Sequence, residues 1–296
     1  MLGLELFDVS AVAVAVDGTG RVLGRAAVAS KDLTAAALAA IEGAASGSPG
    51  SMTLGVAAMH PEALECRAAL DALAPRLAGS FATAGASSSG TAAAIAETWV
   101  GAARGARNVV LFAVSEHASA GIVCDGTPAV GAHRRAPAIA WLALNPVERE
   151  DYRKTGCLEA EVSAAGIVRR LVWRIKAGDP SRVQEAVAGD FAAITVNHVL
   201  DAARQGDGVS ISVVRDTAKY LGMAAANLVA ITDPTVLVLG GIMASAADLL
   251  LESVRLEIAR RVPPAMMQTL TIVPALLGAD AAAIGAARMA MTAANP

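Results

Sequence analysis

Two Asp-Gly pairs fix the plan of this chain. Asp17-Gly18 stands between the apolar runs AVAVAVDG and RVLGRAAVA, and Asp125-Gly126 interrupts the run AGIVCDGTPAVG. An Asp-Gly pair flanked by apolar residues is a strong hairpin signal, because a tight two-residue turn needs the positive φ angles those residues tolerate. A first apolar run, LGLELFDV, precedes the earlier hairpin, so the chain opens on three strands. Residues 32–46 then read as a helix with Asp32 as N-cap, SMTLGVAAM as a strand, and the segment from Pro61 to Leu77 as a helix carrying Pro61 in its first turn. A small, polar stretch from Ser80 to Gly90 reads as a crossover loop. TAAAIAETWVGAAR follows as a helix, NVVLFAVS as a buried strand, and the second hairpin restarts a similar order. The pattern is that of a duplicated α/β unit.

The remainder is helical almost throughout from Cys157 to Ala230, broken at Gly178-Asp179-Pro180 and Gly206-Asp207-Gly208. TVLVLGG is a strand ending in Gly240-Gly241, read as leading into the helix SAADLLLESVRLEIARRV. Such a turn either offers backbone amides to a phosphate or simply reverses the chain. TLTIVPALLG and a last helix, AAAIGAARMAMTAA, close the sequence.

Apolar residues make up 55% of the chain but aromatic residues only 3%, so the core must come from small aliphatic side chains with helices packed closely. A formal net charge of −3 provides no basic footprint for nucleic acid. Cys66, Cys124 and Cys157 are odd in number and far apart, which predicts free thiols and a reducing cytoplasm. Glu5 and Asp8 fall where a signal peptide needs an apolar run. Glycines 79, 85 and 90 and prolines 263, 264 and 274 break the two longest uncharged stretches, so no membrane span is expected.

Three segments resemble motifs of the ROK family of repressors and sugar kinases. Gly156-Cys157-Leu158-Glu159-Ala160 with Ser163 is similar to its G-C-L-E-A-x-x-S helix start. Asp233-Pro234 followed by Thr235 to Gly241 is similar to its N-P-x-x-I-V-L-G-G strand and turn, and Leu277 to Ala287 to its closing L-G-D-D-A-G-L-I-G-A-A. The resemblance covers about residues 90–290 by motif and the first 90 by layout. It implies an actin-like ATPase fold, an α/β architecture of two lobes with mixed sheets flanked by helices. One lobe would be residues 1–105 with the helix 281–296, the other residues 106–280 with the helical region 157–230. It also implies ATP, magnesium and a hexose substrate in the kinases. The helix-turn-helix module of the repressors is not expected, since the chain opens on the first strand.

The positions that would carry kinase chemistry depart from the family's pattern. Aligned on Glu97, Ser89 stands where the resemblance places the catalytic Asp and Ser88 where it places a sugar-binding Asn. A serine hydroxyl is no base near neutral pH without an activator, and no acid lies within ten residues upstream. The first phosphate turn keeps Asp8 but continues Val9-Ser10-Ala11 without glycine, and the second reads Ser115-Glu116-His117. Trp141, Glu150 and Tyr152 replace three of the four zinc ligands and leave Cys157 alone, so no zinc is expected. Glu159 is the retained sugar ligand of the resemblance, or else an acid favoured at a helix start. Trp141 either stacks on a ligand or plugs an unused cavity, and the plug is the expectation.

The expectation is therefore a sugar-kinase-like protein without kinase activity, serving as a ligand-binding or regulatory subunit and forming a homodimer. The alternatives are an active ATP-dependent hexose kinase with Asp8, Glu116 or Glu159 as relocated base, or a different reaction in the same cleft with Glu116, His117 and Glu159 as acid–base groups. No cofactor is expected on the first reading. The candidate ligand residues are Glu159, Trp141 and Ser88, with Asp8, Gly240 and Gly241 in the phosphate region and Ser89 at the base position.

Overall fold

The first hairpin closes on Asp17, whose Oδ1 accepts hydrogen bonds from the Thr19 and Arg21 amides (2.8 and 3.1 Å) and the Thr19 hydroxyl (2.6 Å). In this computed structural model, which describes residues 1–46, 53–74 and 86–294, β1 (Leu2–Phe7), β2 (Ser10–Val16) and β3 (Val22–Ala29) pair antiparallel in sequence. Helix α1 (Leu33–Ala45) follows, with the Asp32 carboxylate capping the Ala35 amide at 2.9 Å. Strand β4 (Leu54–Ala58) runs parallel to β1. Helix α2 (Leu64–Leu73) starts three residues later than Pro61 predicts. The Ala63 amide donates to the His60 carbonyl at 2.9 Å, so Pro61 sits inside a preceding turn, where its fixed φ serves equally well. The predicted crossover loop lies largely outside the described residues. Its end, Ser87–Ser88, forms β5 beside β4 and passes directly into α3 (Ser89–Trp99). This sheet has the order β3-β2-β1-β4-β5.

The chain continues with β6 (Val109–Val114), β7 (Ala118–Cys124) and β8 (Thr127–Pro128). It then passes through α4 (Glu150–Thr155), α5 (Cys157–Val162), α6 (Ala164–Lys176), α7 (Arg182–Ala186), α8 (Val196–Arg204) and α9 (Gly208–Thr232). After it come β9 (Val236–Gly241), α10 (Ile242–Ser245), α11 (Ala247–Ala259), α12 (Pro264–Thr269), β10 (Thr271–Pro274) and α13 (Ala281–Ala294). The second sheet is also mixed, in the order β10-β9-β6-β7-β8. The chain divides into two compact units: Met1–Leu111, Ala120–Pro137 and Ala275–Pro296 form one, and Phe112–Ser119 with Ala138–Pro274 form the other.

In the first unit Leu2, Leu4 and Leu6 of β1 pack with α1 and α2 on one sheet face. The opposite face meets α3 and α13 through Val14, Val16, Ala96, Ala283 and Ala287. Small side chains let those helices approach until backbone touches backbone. A Cβ on Gly285 of α13 would stand 1.7 Å from the Ala92 carbonyl of α3, so the contact exists only with glycine there. In the second unit the 25-residue α9 is the long central helix, capped by a buried Asp207 that accepts from the Ser210 and Arg182 amides, both at 2.9 Å. Among the described residues no helix is long and apolar enough to cross a membrane.

Candidate functional site

Helix α3 begins where the base of a kinase would be expected. Ser88 is its N-cap, accepting from the Thr91 amide (3.2 Å) and donating to the Thr91 hydroxyl (2.8 Å). Ser89, the first helical residue, is only 3% exposed, and its hydroxyl makes no hydrogen bond of regular geometry. The carboxyl close to it is Glu5, a residue the sequence motifs did not single out. Glu5 lies on β1 two residues beyond Gly3, and Gly3 backs directly onto Ala283 of α13. Glu5 therefore points to the same face, away from the leucines. Burial pushes its carboxyl above the ordinary 4.5; the nearby Ser89 hydroxyl lowers it in part, and the Asp280 carboxylate raises it further. Asp280 itself is held by Arg25, with Nε at 2.8 and 2.9 Å from its two oxygens. A lone glutamate on the inward face of an apolar strand was the available signal for this site.

The two turns that would hold phosphate are short and closed. Phe7 pairs with Ser10, which leaves Asp8 and Val9 as a two-residue turn with Asp8 exposed. Within the first unit an Asp8 carboxylate oxygen lies within 4.8 Å of a ring nitrogen of His60. In the second unit, Ser115 to His117 link β6 to β7, and the Ser115 amide donates to the His117 carbonyl at 2.9 Å. The Ala118 amide donates to Glu159 Oε2 at 2.9 Å, and Glu159 Oε1 lies 3.2 Å from His117 Nδ1. Glu159, 8% exposed, thus fastens this turn with both oxygens. Amides spent inside the protein are not presented to a phosphate.

Gly240 is buried at the end of β9 and Gly241 follows at φ +63°. A Cβ at Gly241 would stand 1.9 Å from the Val114 carbonyl, so this glycine is required by strand packing whether or not it meets a ligand. The long helix expected from Ser245 starts at Ala247, after the single turn α10. Trp141 ends a short 3-10 turn and is 58% exposed. It plugs no cavity, contrary to expectation, because its ring lies at the surface.

The zinc positions of the resemblance do not offer zinc chemistry. Trp141 has no ligand atom, Glu150 is exposed and paired with Lys154 (2.7 Å), and Cys157 is a buried thiol. The Tyr152 hydroxyl donates to Glu161 Oε1 at 2.5 Å, and burial followed by that bond drives the phenol pKa upward. Glu161, 4% exposed, also pairs with Arg149 (2.9 Å) and with Arg170. Arg149 stacks over the Tyr152 ring at 4.8 Å and binds Asp151 at 2.6 Å, and Asp151 also meets Arg169 at 3.1 Å. A network of ion pairs and hydrogen bonds therefore ties α4, α5 and α6 together. Sequence reasoning missed Glu161, whose partners are scattered over twenty-two positions.

A sequence model of the ROK family matches residues 83–293. A glucokinase of Halalkalibacterium halodurans is 32% identical over 198 residues, covering 65% of this chain and 59% of that protein. The DNA-binding transcriptional dual regulator NagC of Escherichia coli is 26% identical over 162 residues, covering 54% of this chain and 38% of the regulator. The chain spans about three-fifths of the length of the glucokinases it matches. The crystal structure of a ROK family glucokinase from Streptomyces griseus, in complex with glucose and AMPPNP, superposes with a TM-score of 0.81 at 22% identity over 99% of both chains.

Proposed function

Since this chain belongs to the ROK family, we propose that it is a sugar-kinase-like protein that binds a small sugar-like ligand and does not transfer phosphate from ATP. Its mixed sheets flanked by helices are those of the actin-like ATPase fold of ROK sugar kinases. The observation that carries the reading is the β6–β7 turn. Its Ser115 and Ala118 amides are already bound to His117 and Glu159. Ser89 at the base position supports the same reading, because a serine hydroxyl is too weak a base near neutral pH to take the proton of a sugar hydroxyl. The family includes proteins named glucokinase and others named N-acetylglucosamine repressor, so one scaffold serves both catalytic and regulatory members. A regulatory or partner-binding subunit, without structural zinc and in the cytoplasm, is the role proposed for this one.

The test is a coupled ADP-release assay with glucose, mannose and their N-acetylamino derivatives, magnesium and millimolar ATP. No turnover is expected, and calorimetry should still register a sugar or related ligand. Losing a general base costs on the order of a hundred- to ten-thousand-fold in rate. Loss of a phosphate cradle compounds that. Turnover near about one per second, an ordinary value for an enzyme, would overturn the proposal.

A second reading is favoured by one specific observation, the half-buried Glu5 carboxyl beside Ser89 with its pKa held above the usual range. A carboxylate tuned upward is the kind of group a kinase could use as base. On that reading activity is present and Glu5→Gln abolishes it, whereas Asp8→Asn, Glu116→Gln and Glu159→Gln do not.

A further inference from the structure

The first unit contains a cavity of about 770 Å³, a volume typical of small-molecule sites, that includes none of the residues discussed above as catalytic or ligand-binding. Three arginines line it: Arg104 just past α3, Arg134 after β8, and Arg288 on α13. Trp99, Val123 and Met289 supply an apolar and aromatic wall. Among the described residues no aspartate or glutamate lines the cavity.

Many arginines elsewhere in the protein pair with acids, as Arg25 does with Asp280, Arg107 with Asp125 and Arg204 with Asp248. Arg104, Arg134 and Arg288 pair with none among the described residues. Residues 47–52, 75–85 and 295–296 contain no aspartate or glutamate side chain that could supply the missing partner. Three like charges around one concavity repel each other and create a locally positive site in a chain of net charge −3. Arg288 is moreover held in place. Its guanidinium stacks over the Trp99 ring at 4.9 Å, which orients its donors and reduces the entropy lost when they engage an anion.

We propose that this cavity is a binding site for a small organic dianion with a flat apolar body, the charge held by the three guanidiniums and the body lying against Trp99 and Met289. A phosphate ester and a dicarboxylate share the required chemistry. The site does not depend on whether the protein transfers phosphate.

Trp99 provides a local reporter, because the chain's other tryptophans, Trp141 and Trp173, are exposed and can be changed to phenylalanine. In the Trp141→Phe/Trp173→Phe protein, phenyl phosphate and phthalate are titrated against Trp99 fluorescence, with calorimetry on the unaltered protein. At least one should bind saturably with a Kd of about 1 mM or below, as expected for a fragment-sized ligand, and the one that binds distinguishes ester from dicarboxylate. Arg104→Gln/Arg134→Gln, at exposed positions where folding should be retained, is expected to weaken binding at least tenfold. The proposal is overturned if neither dianion saturates by 10 mM, or if the double variant binds as well as the parent. Equal binding of benzyl alcohol would remove the anionic assignment, and equal binding of inorganic phosphate would remove the apolar one.

Discussion

Glu5, half-buried, and Glu97 are two carboxylates of the first unit with opposite surroundings. Glu97, fully buried, accepts from the Leu276 and Leu277 amides at 3.0 and 2.9 Å and from the Ala102 amide at 2.6 Å, so its charge is met by three donors. Glu5 has no comparable set, and burial holds its pKa above 4.5 in the folded protein. The sign of the consequence follows from proton counting. Below about pH 4 both folded and unfolded chains keep the proton. As pH rises past the ordinary value, the unfolded chain releases it while the folded chain holds it, so this residue's contribution to stability is lost progressively up to the folded pKa. Glu5→Gln removes that loss. Thermal denaturation of variant and parent from about pH 4 to pH 8 should show the variant gaining on the parent as pH rises; parallel curves would contradict the assignment of a raised pKa.

At the scale of elements, the hairpins, α1 and α9 were legible because their signals are local: Asp17, Asp125, Asp32 and Asp207 each act within a few residues of themselves. The late start of α2 was not legible, because Pro61 fits a turn and a first helical turn alike. The network around Glu161 was invisible for a different reason. It joins Arg149 and Tyr152 to Arg170 across three helices, and nothing local marks residues that meet only after those helices pack. That network now does the tying of α4, α5 and α6, which leads to a prediction with two readouts. Elemental analysis of protein purified without added metal should find well under one zinc per chain, and a chelator should leave the melting temperature unchanged. Glu161→Ala, which strands Arg149 and Arg170 against a buried site, should cost about 3–5 kcal/mol of stability, measured by denaturant unfolding. Stoichiometric zinc, or a variant as stable as the parent, would count against the network as the tie.

For the whole molecule, the motif resemblance reached the family and the fold, since segments such as Gly156 to Ala160 and Leu277 to Ala287 keep the residues that build the scaffold. The site was legible mainly by what it lacks, and Glu5 and the Arg104, Arg134 and Arg288 cavity had to be seen folded, because the chain brings them together from distant positions. The remaining whole-molecule expectation is self-association. The helical part of the second unit leaves large apolar side chains at the surface: Trp173 of α6, Ile231 of α9 and Leu256 of α11 are 67%, 77% and 48% exposed. Scattered apolar residues are normal on a monomer, but large ones on three helices of one unit add area that water covers unfavourably. A twofold contact between like faces would bury it on both copies at once. Light scattering at micromolar concentration should therefore report a mass near twice 29.7 kDa, and Trp173→Glu with Ile231→Glu should shift it toward the monomer without lowering the melting temperature of the monomer itself. A monomeric mass for the unaltered protein at that concentration would refute the expectation.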